Sequence, residues 1–428
     1  MLVALCSCGG STPPDVDIQA LTDAFESSHL ALVLFETGGT PIPDEPKILA
    51  RMIVIDDGGV NRLDSGTFHY DGNIGIELRG HSSLVYPKKQ FAVETRDDEG
   101  EDQDVALLGF PEEEDWVFYA PYADKTMLRN WFVYGLGAEL GAYAPRTRFV
   151  EVFVDGQYWG VYLFTEKIKR DKNRVAITKL DDEDNAEPEI TGGYLLEMTD
   201  VRTLGDKFVG SGRALFEVKD PKADKVTDAQ IIWIRAYLQK FESVLYGGNF
   251  EDPDIGWRAY ADEDSFIDYV LIQEFVKNSD AFQRSTFFSK DRSGPLRAGP
   301  LWDFNIAMGN VPNAQTEHDP EGFLLRGDAV WAGQLLLDRA FVTRLIARWR
   351  ELRNGPLATD RLMARIDEGV AALGDAVGRN FERWPVLGQW VWPNPTPLPR
   401  TYEGEIDVLK AWLTARARWL DDNIDTIR

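Results

Sequence analysis

Two aspartates in short polar islands, each framed by apolar residues, are the side chains here best placed to carry a reaction. Asp280 lies in Asn278-Ser279-Asp280-Ala281-Phe282-Gln283-Arg284-Ser285, and Asp303 in Leu301-Trp302-Asp303-Phe304-Asn305-Ile306. An expected hairpin between the islands, with Phe287 and Phe288 in its first strand and a turn at Ser293-Gly294, brings the two carboxylates near each other. Such a pair can bind magnesium and orient a hydroxyl, although a single Asp is more often a cap or a turn residue. A third motif, Leu78-Arg79-Gly80-His81-Ser82-Ser83 followed by Lys88-Lys89, reads as strand, small-residue turn and strand. The tip of such a hairpin offers backbone N–H groups and hydroxyls to an anion. Period-two alternation places Lys89 on the inner face with Phe91 and Val93, so Lys89 is the expected phosphate ligand and Lys88 an expected surface lysine. In a fourth segment, Gly160 to Ile168, backbone groups from Glu166 onward can meet a planar base; alone, it is a buried strand ending in charges.

Strands are expected at residues 48–55, 72–79, 88–95, 116–119, 147–154 and 159–165, with a tight hairpin at Asp155-Gly156. One helix interrupts them, N-capped by Asp124 and closed by Gly141. Beyond Arg170 the spacing turns helical, at about 227–246, 264–278, 333–353, 358–383 and 404–426. The fold class is therefore α+β, with a β-rich lobe over residues 30–166, a helix-rich lobe over 167–428 and the reactive island at 278–310. An acidic run, Asp181 to Asn185, lacks the glycine and the terminal glutamate of a calcium loop and reads as solvated.

The 428 residues carry 46 Lys and Arg against 71 Asp and Glu, a net charge of −25 that repels phosphate backbones and argues against nucleic-acid binding. With four His and two Cys, histidine-rich zinc sites and a disulfide framework are excluded as well. No Walker A sequence and no Gly-x-Ser-x-Gly elbow is present. A glycosidase built on paired carboxylates stays open in a Trp-rich acidic chain.

Both cysteines lie in Leu5-Cys6-Ser7-Cys8, which resembles a bacterial lipobox, although the basic n-region of a signal peptide is missing. Residues 1–8 are read as its remnant and 9–29 as a tether. Acylation at Cys8 would make this a lipid-anchored envelope protein, held to the membrane by that anchor alone and expected to be monomeric.

Arg79-Gly80-His81-Ser82-Ser83 with Lys88-Lys89, the segment 149–166, the island at Asp280 and Trp302-Asp303-Phe304, in this order, resemble the CotH kinase family. The resemblance runs over about residues 30–425. It implies a two-lobed protein-kinase-like fold, ATP with Mg2+ or Mn2+ as cofactors, and transfer of the γ-phosphate to Ser or Thr of an extracytoplasmic protein substrate. By it Asp280 corresponds to the catalytic-loop aspartate and Asp303 to the metal-binding aspartate. Arg79, Ser82, Ser83 and Lys89 would face the phosphates, with Glu166 in the nucleotide-binding stretch. Two positions depart from the pattern. Ser285 stands where kinases place an asparagine five residues after the catalytic aspartate, and Asn305 where the family has a second aspartate. Both are candidate metal ligands, and the weaker set they form keeps a non-catalytic, kinase-like scaffold as the alternative.

Overall fold

The computed structural model describes residues 16–428 apart from 201, 203, 204 and 328; Cys8 and the start of the tether lie outside the described residues. In chain order the elements are α1 (Ile18–Asp23), β1 (Ala31–Glu36), β2 (Ile48–Ile55), β3 (Tyr70–Arg79), β4 (Gln90–Arg96), β5 (Asp115–Tyr119), α2 (Arg129–Glu139), β6 (Thr147–Val154) and β7 (Gln157–Glu166). There follow β8 (Tyr194–Met198), β9 (Phe208–Gly210), β10 (Leu215–Asp220), α3 (Asp228–Leu245), α4 (Glu263–Val276), β11 (Thr286–Lys290) and β12 (Leu296–Ala298). Helices α5 (Ala332–Leu335), α6 (Arg339–Arg353), α7 (Thr359–Leu373), α8 (Ala376–Arg383) and α9 (Tyr402–Asn423) complete a mixed α+β chain. It forms two compact units. The first holds the described residues up to Thr126, Arg148–Phe164 and Ala371–Ile406; the second holds Met127–Thr147, Thr165–Val370 and Asp407–Arg428.

The first unit is built on a closed barrel in the order β1-β2-β3-β4-β5-β7-β6, with β1 antiparallel to β2 and parallel to β6. Alternate residues fill its interior: Val33 and Phe35, Ile74 and Ile76, Phe91 and Val93 are all buried there. Asp155 and Gly156 both take positive φ, 46° and 76°, as a two-residue hairpin with the strand twist requires. Residues 371–406 return to this barrel. Arg379 pairs with buried Glu151 at 2.7 Å, Arg383 donates to the Tyr158 carbonyl at 3.0 Å, and the Trp384 indole donates to the Trp159 carbonyl at 2.8 Å. The expected tether is docked at its end: α1 is capped by Asp17, and Phe25 packs edge-on against Phe153 at 5.0 Å.

The second unit contains a five-stranded sheet, β12-β11-β8-β10-β9, of which the sequence indicated only the β11–β12 hairpin. Its helices begin where the side chains satisfy free N–H groups: Thr227 and Gln230 form a capping box on α3, Asp262 caps α4 and Asp338 caps α6. Trp331 fills the core beside the sheet, 4.8 Å from Phe241 and 5.3 Å from both Phe216 and Phe288. The acidic run is tied down by Arg292, which reaches Asp184 at 3.2 Å. Helix α2 does not start at Asp124. Met127 adopts φ 60°, outside the helical region, so the helix begins at Arg129, and the Asp124 carboxylate instead accepts the Thr126 hydroxyl at 2.7 Å.

Candidate functional site

The Asp280 island begins where α4 ends. Lys277 closes the helix in the left-handed conformation, and its ammonium donates to the carbonyls of Thr316, Asp319 and Glu321 at 2.7–2.8 Å. Asn278 then joins the two motifs. Its side-chain oxygen accepts the Asp280 N–H at 3.3 Å while its amide donates to the Asp303 carbonyl at 3.3 Å. The Ser279 hydroxyl adds a bond to the Ile306 carbonyl at 3.4 Å. The expected hairpin is present as β11 and β12, antiparallel, between the islands.

Asp303 itself has φ 60°. Lys277, Phe282, Ser285 and Met308, all in or beside the two islands, also lie at positive φ without being glycine. Each such residue costs about 1–3 kcal/mol and persists only where its surroundings over-determine it, a pattern concentrated at functional sites. The surroundings of Asp303 are supplied by α2. The Tyr134 hydroxyl accepts the Asp303 N–H at 3.2 Å, and the Asn130 side-chain oxygen accepts the Phe304 N–H at 2.7 Å. Tyr134 also stacks on Trp302, with ring centroids 5.8 Å apart and planes 13° from parallel. Buried Arg129 donates to the carbonyls of Ala307 and Met308 at 3.0 and 3.3 Å.

The electrostatics follow from burial and from the pairing of like charges. Burial, then the neighbouring Asp303 carboxylate, pushes the Asp280 carboxyl up to about 7; Arg284 opposes the shift and Asp200 adds to it. Arg284 lies 3.4 Å from Asp280 and 2.8 Å from Asp200. A divalent cation would relieve this repulsion. Carboxylate, carboxamide and hydroxyl oxygens from Asp303, Asn305 and Ser285 are the hard donors that Mg2+ or Mn2+ takes, so the residues present fit such an ion. A separate group of three acidic residues, Asp104, Glu113 and Glu114, lies in the first unit and includes none of the motif residues.

The anion-binding motif also belongs to the first unit. Gly80 has φ 101°, and a Cβ there would meet the Ser83 hydroxyl at 2.0 Å, so only glycine closes this turn. Residues 82–85 form one tight helical turn whose Leu84 carbonyl accepts the Lys89 ammonium at 2.5 Å. Arg79 reaches Gln90 at 3.4 Å. The alternation expected for the two lysines does not extend to them, because β4 starts only at Gln90. Lys88 is buried, 1% exposed, and donates to the Val161 carbonyl at 2.6 Å and to Asn380 at 2.8 Å. Burial, with Arg383 nearby, drives its ammonium well below the usual lysine range. Lys89 is the half-buried one of the pair, at the turn.

Glu166, in the second unit, serves as an internal anchor. Its carboxylate accepts the Arg146 backbone N–H at 2.9 Å, the Arg146 guanidinium at 2.6 Å and the Tyr143 hydroxyl at 3.3 Å, while its own N–H donates to the Arg146 carbonyl. The nucleotide contact expected of this stretch is one of backbone groups, and the Glu166 carboxylate is engaged within the protein. The structure thus brings Asp280, Asp303, Ser285 and Asn305 into two loops stitched together, and gathers Arg79, Ser82, Ser83 and Lys89 around one turn. Sequence reasoning gave no role to Arg129, Asn130, Tyr134 or Lys277, and took Asn278 only as the first residue of the Asp280 island. The available signal was Arg129 and Asn130 following Leu128 and preceding Phe132 and Val133 on a helix, polar groups among core residues.

No curated protein matches the sequence. The family model described as CotH kinase protein matches residues 76–420, most of the chain and all of the motifs above. The chain belongs to the CotH kinase family.

Proposed function

We propose that this protein is a two-lobed, protein-kinase-like phosphotransferase that moves the γ-phosphate of ATP to a Ser or Thr hydroxyl of a protein outside the cytoplasm, anchored through an acylated Cys8. The observation that carries the reading is the Asp280–Asp303 pair: burial, and after it the neighbouring Asp303 carboxylate, raise Asp280 to about 7, in loops with a strained backbone. In this role Asp280 accepts the proton of the attacking hydroxyl as its oxygen bonds to the γ-phosphorus and the bond to the ADP oxygen breaks. A carboxyl with a pKa near 7 suits a group that must take up and release a proton at neutral pH. Asp303, with Ser285 and Asn305, would hold the divalent ion, which supplies charge neutralisation on the phosphates. Arg79, Lys89 and the hydroxyls of Ser82 and Ser83 bind the phosphate oxygens. The competing scaffold reading draws on Ser285 and Asn305, each a weaker ligand than the residue it replaces.

ATP titration by thermal shift with Mg2+ or Mn2+, beside transfer from labelled ATP, tests the proposal. Asp280→Asn should keep ATP affinity and lose transfer by roughly 10²–10⁴-fold. Asp303→Ala should lose both metal-dependent stabilisation and transfer. Wild type that binds ATP with metal and transfers no phosphate, to itself or to envelope proteins, would establish the scaffold instead.

A further inference from the structure

Asp303 owes its position to a helix that carries none of the motif residues. The Asp303–Phe304 backbone is left-handed at Asp303, and a non-glycine residue holds that conformation only against a restoring strain. Two consecutive N–H groups, those of Asp303 and Phe304, are taken by α2 side chains one helical turn apart, Tyr134 and Asn130. The same Tyr134 ring stacks on Trp302 before the aspartate and meets Phe304 edge-on after it, at 6.3 Å and 79°. Asn130 is 4% exposed and Phe304 fully buried, so this side of the turn is closed to competing water. The far end of the loop is fixed too, by Arg129 on the Ala307 and Met308 carbonyls and by the Met308 N–H on the Val276 carbonyl at 2.7 Å.

We propose that Asn130 and Tyr134 are positioning residues of the reaction: from one face of α2 they hold the Asp303–Phe304 peptide in its left-handed turn and so set where the Asp303 carboxylate stands. The inference rests on the reading of Asp303 as the metal-holding carboxylate. Neither residue touches substrate or metal in this role. Tyr134 accepts the Asp303 N–H and Asn130 the Phe304 N–H, and a variant of similar bulk can remove either acceptor while the side chain's packing stays.

The test measures the Mg2+ and Mn2+ concentrations that give half-maximal thermal stabilisation by ATP, and hydrogen exchange of the segment 301–308. Tyr134→Phe keeps the stack on Trp302 and removes only the hydroxyl; Asn130→Leu removes the acceptor at similar volume. Each should raise the half-saturating metal concentration about 3- to 10-fold, as expected for one net hydrogen bond, and should speed exchange at 303–304. Asn130→Asp, which keeps an oxygen for the Phe304 N–H, should return both readouts toward wild type. Val133→Ala, a cavity in the same helix, should lower the melting temperature without moving the metal requirement. Unchanged metal dependence in Tyr134→Phe and Asn130→Leu, or an equal shift in Val133→Ala, overturns the positioning role while leaving the metal reading intact. If Asp303→Ala keeps the wild-type metal response, the metal reading falls and this inference falls with it.

Discussion

A carboxyl held near 7 against an ordinary 3.8 has a cost that shows in stability as well as in chemistry. Between those two values the folded protein binds more protons at Asp280 than the unfolded chain does. The favourable contribution is therefore complete below about 3.8 and is lost as pH rises through about 7. Asp280→Asn removes the buried charge, so the metal-free variant should be more stable than wild type. The gain should grow from pH 4 to 7 and level off above, at no more than roughly 4 kcal/mol, about 1.4 kcal/mol for each unit of the shift. Melting temperatures of both proteins in a metal chelator, from pH 4 to 9, check this; a difference independent of pH would show that Asp280 is not the raised group. Active-site groups commonly trade stability for function in this way. Asp280 and Asp303 were legible in the sequence because each is a polar island in an apolar frame. Asn130 was not, because its partner Phe304 is 174 residues away and nothing local distinguishes a clamp from a helix face.

At the scale of elements, legibility followed length and period. The eight-residue strands β2 and β6 lie where alternation places them, whereas β9, at three residues, is too short to show any period, and the equally short β12 was marked only by the Ser293-Gly294 turn that pairs it with β11. The first residues of β4 show a different limit: alternation describes a strand and says nothing of the turn leading into it. That is why Lys88, expected at the surface, is buried on the Val161 carbonyl and Asn380, and why the two lysines should separate in stability. Lys88→Ala leaves two buried acceptors short of a donor and opens a cavity, so urea unfolding should show a loss of about 2–5 kcal/mol. Lys88→Met keeps the aliphatic stem and should lose less. Lys89→Ala removes a half-buried group bonded to one carbonyl of its own turn, and should cost at most about 1 kcal/mol while weakening ATP binding. Equal losses for the two alanine variants would contradict the burial difference.

Over the whole molecule, composition and the order of motifs indicated a mixed α+β chain, but they could not show how often the chain changes unit. A reading along the sequence invites one cut near residue 166. The observed units exchange segments instead: Met127–Thr147 belongs with the second, and Ala371–Ile406 returns to the first. Such returns are invisible to periodicity, since α8 looks like any other helix until its partners are known. Those partners are substantial. Asn380 accepts both the Lys88 ammonium and the Val161 N–H, at 2.8 and 3.1 Å, and Arg379 neutralises Glu151, which is fully buried beneath it. The Asn394 amide donates to the Ala123 carbonyl at 2.7 Å, and the Tyr402 hydroxyl to the Thr126 carbonyl at 3.0 Å. Without residues 371–406, Glu151 loses its arginine, Lys88 loses one of its two acceptors, and the surface that Trp384 and Val386 cover is opened to water. Losses of this kind add to several kcal/mol, comparable to the whole stability of a small domain, which is about 5–15 kcal/mol. A fragment of residues 30–166 should therefore fail to fold cooperatively: it should bind a hydrophobic dye, lack dispersed amide resonances and melt without a sharp transition. The intact chain should show none of these. A 30–166 fragment with a native-like amide spectrum and two-state unfolding would show instead that the barrel closes on its own and that residues 371–406 merely decorate it.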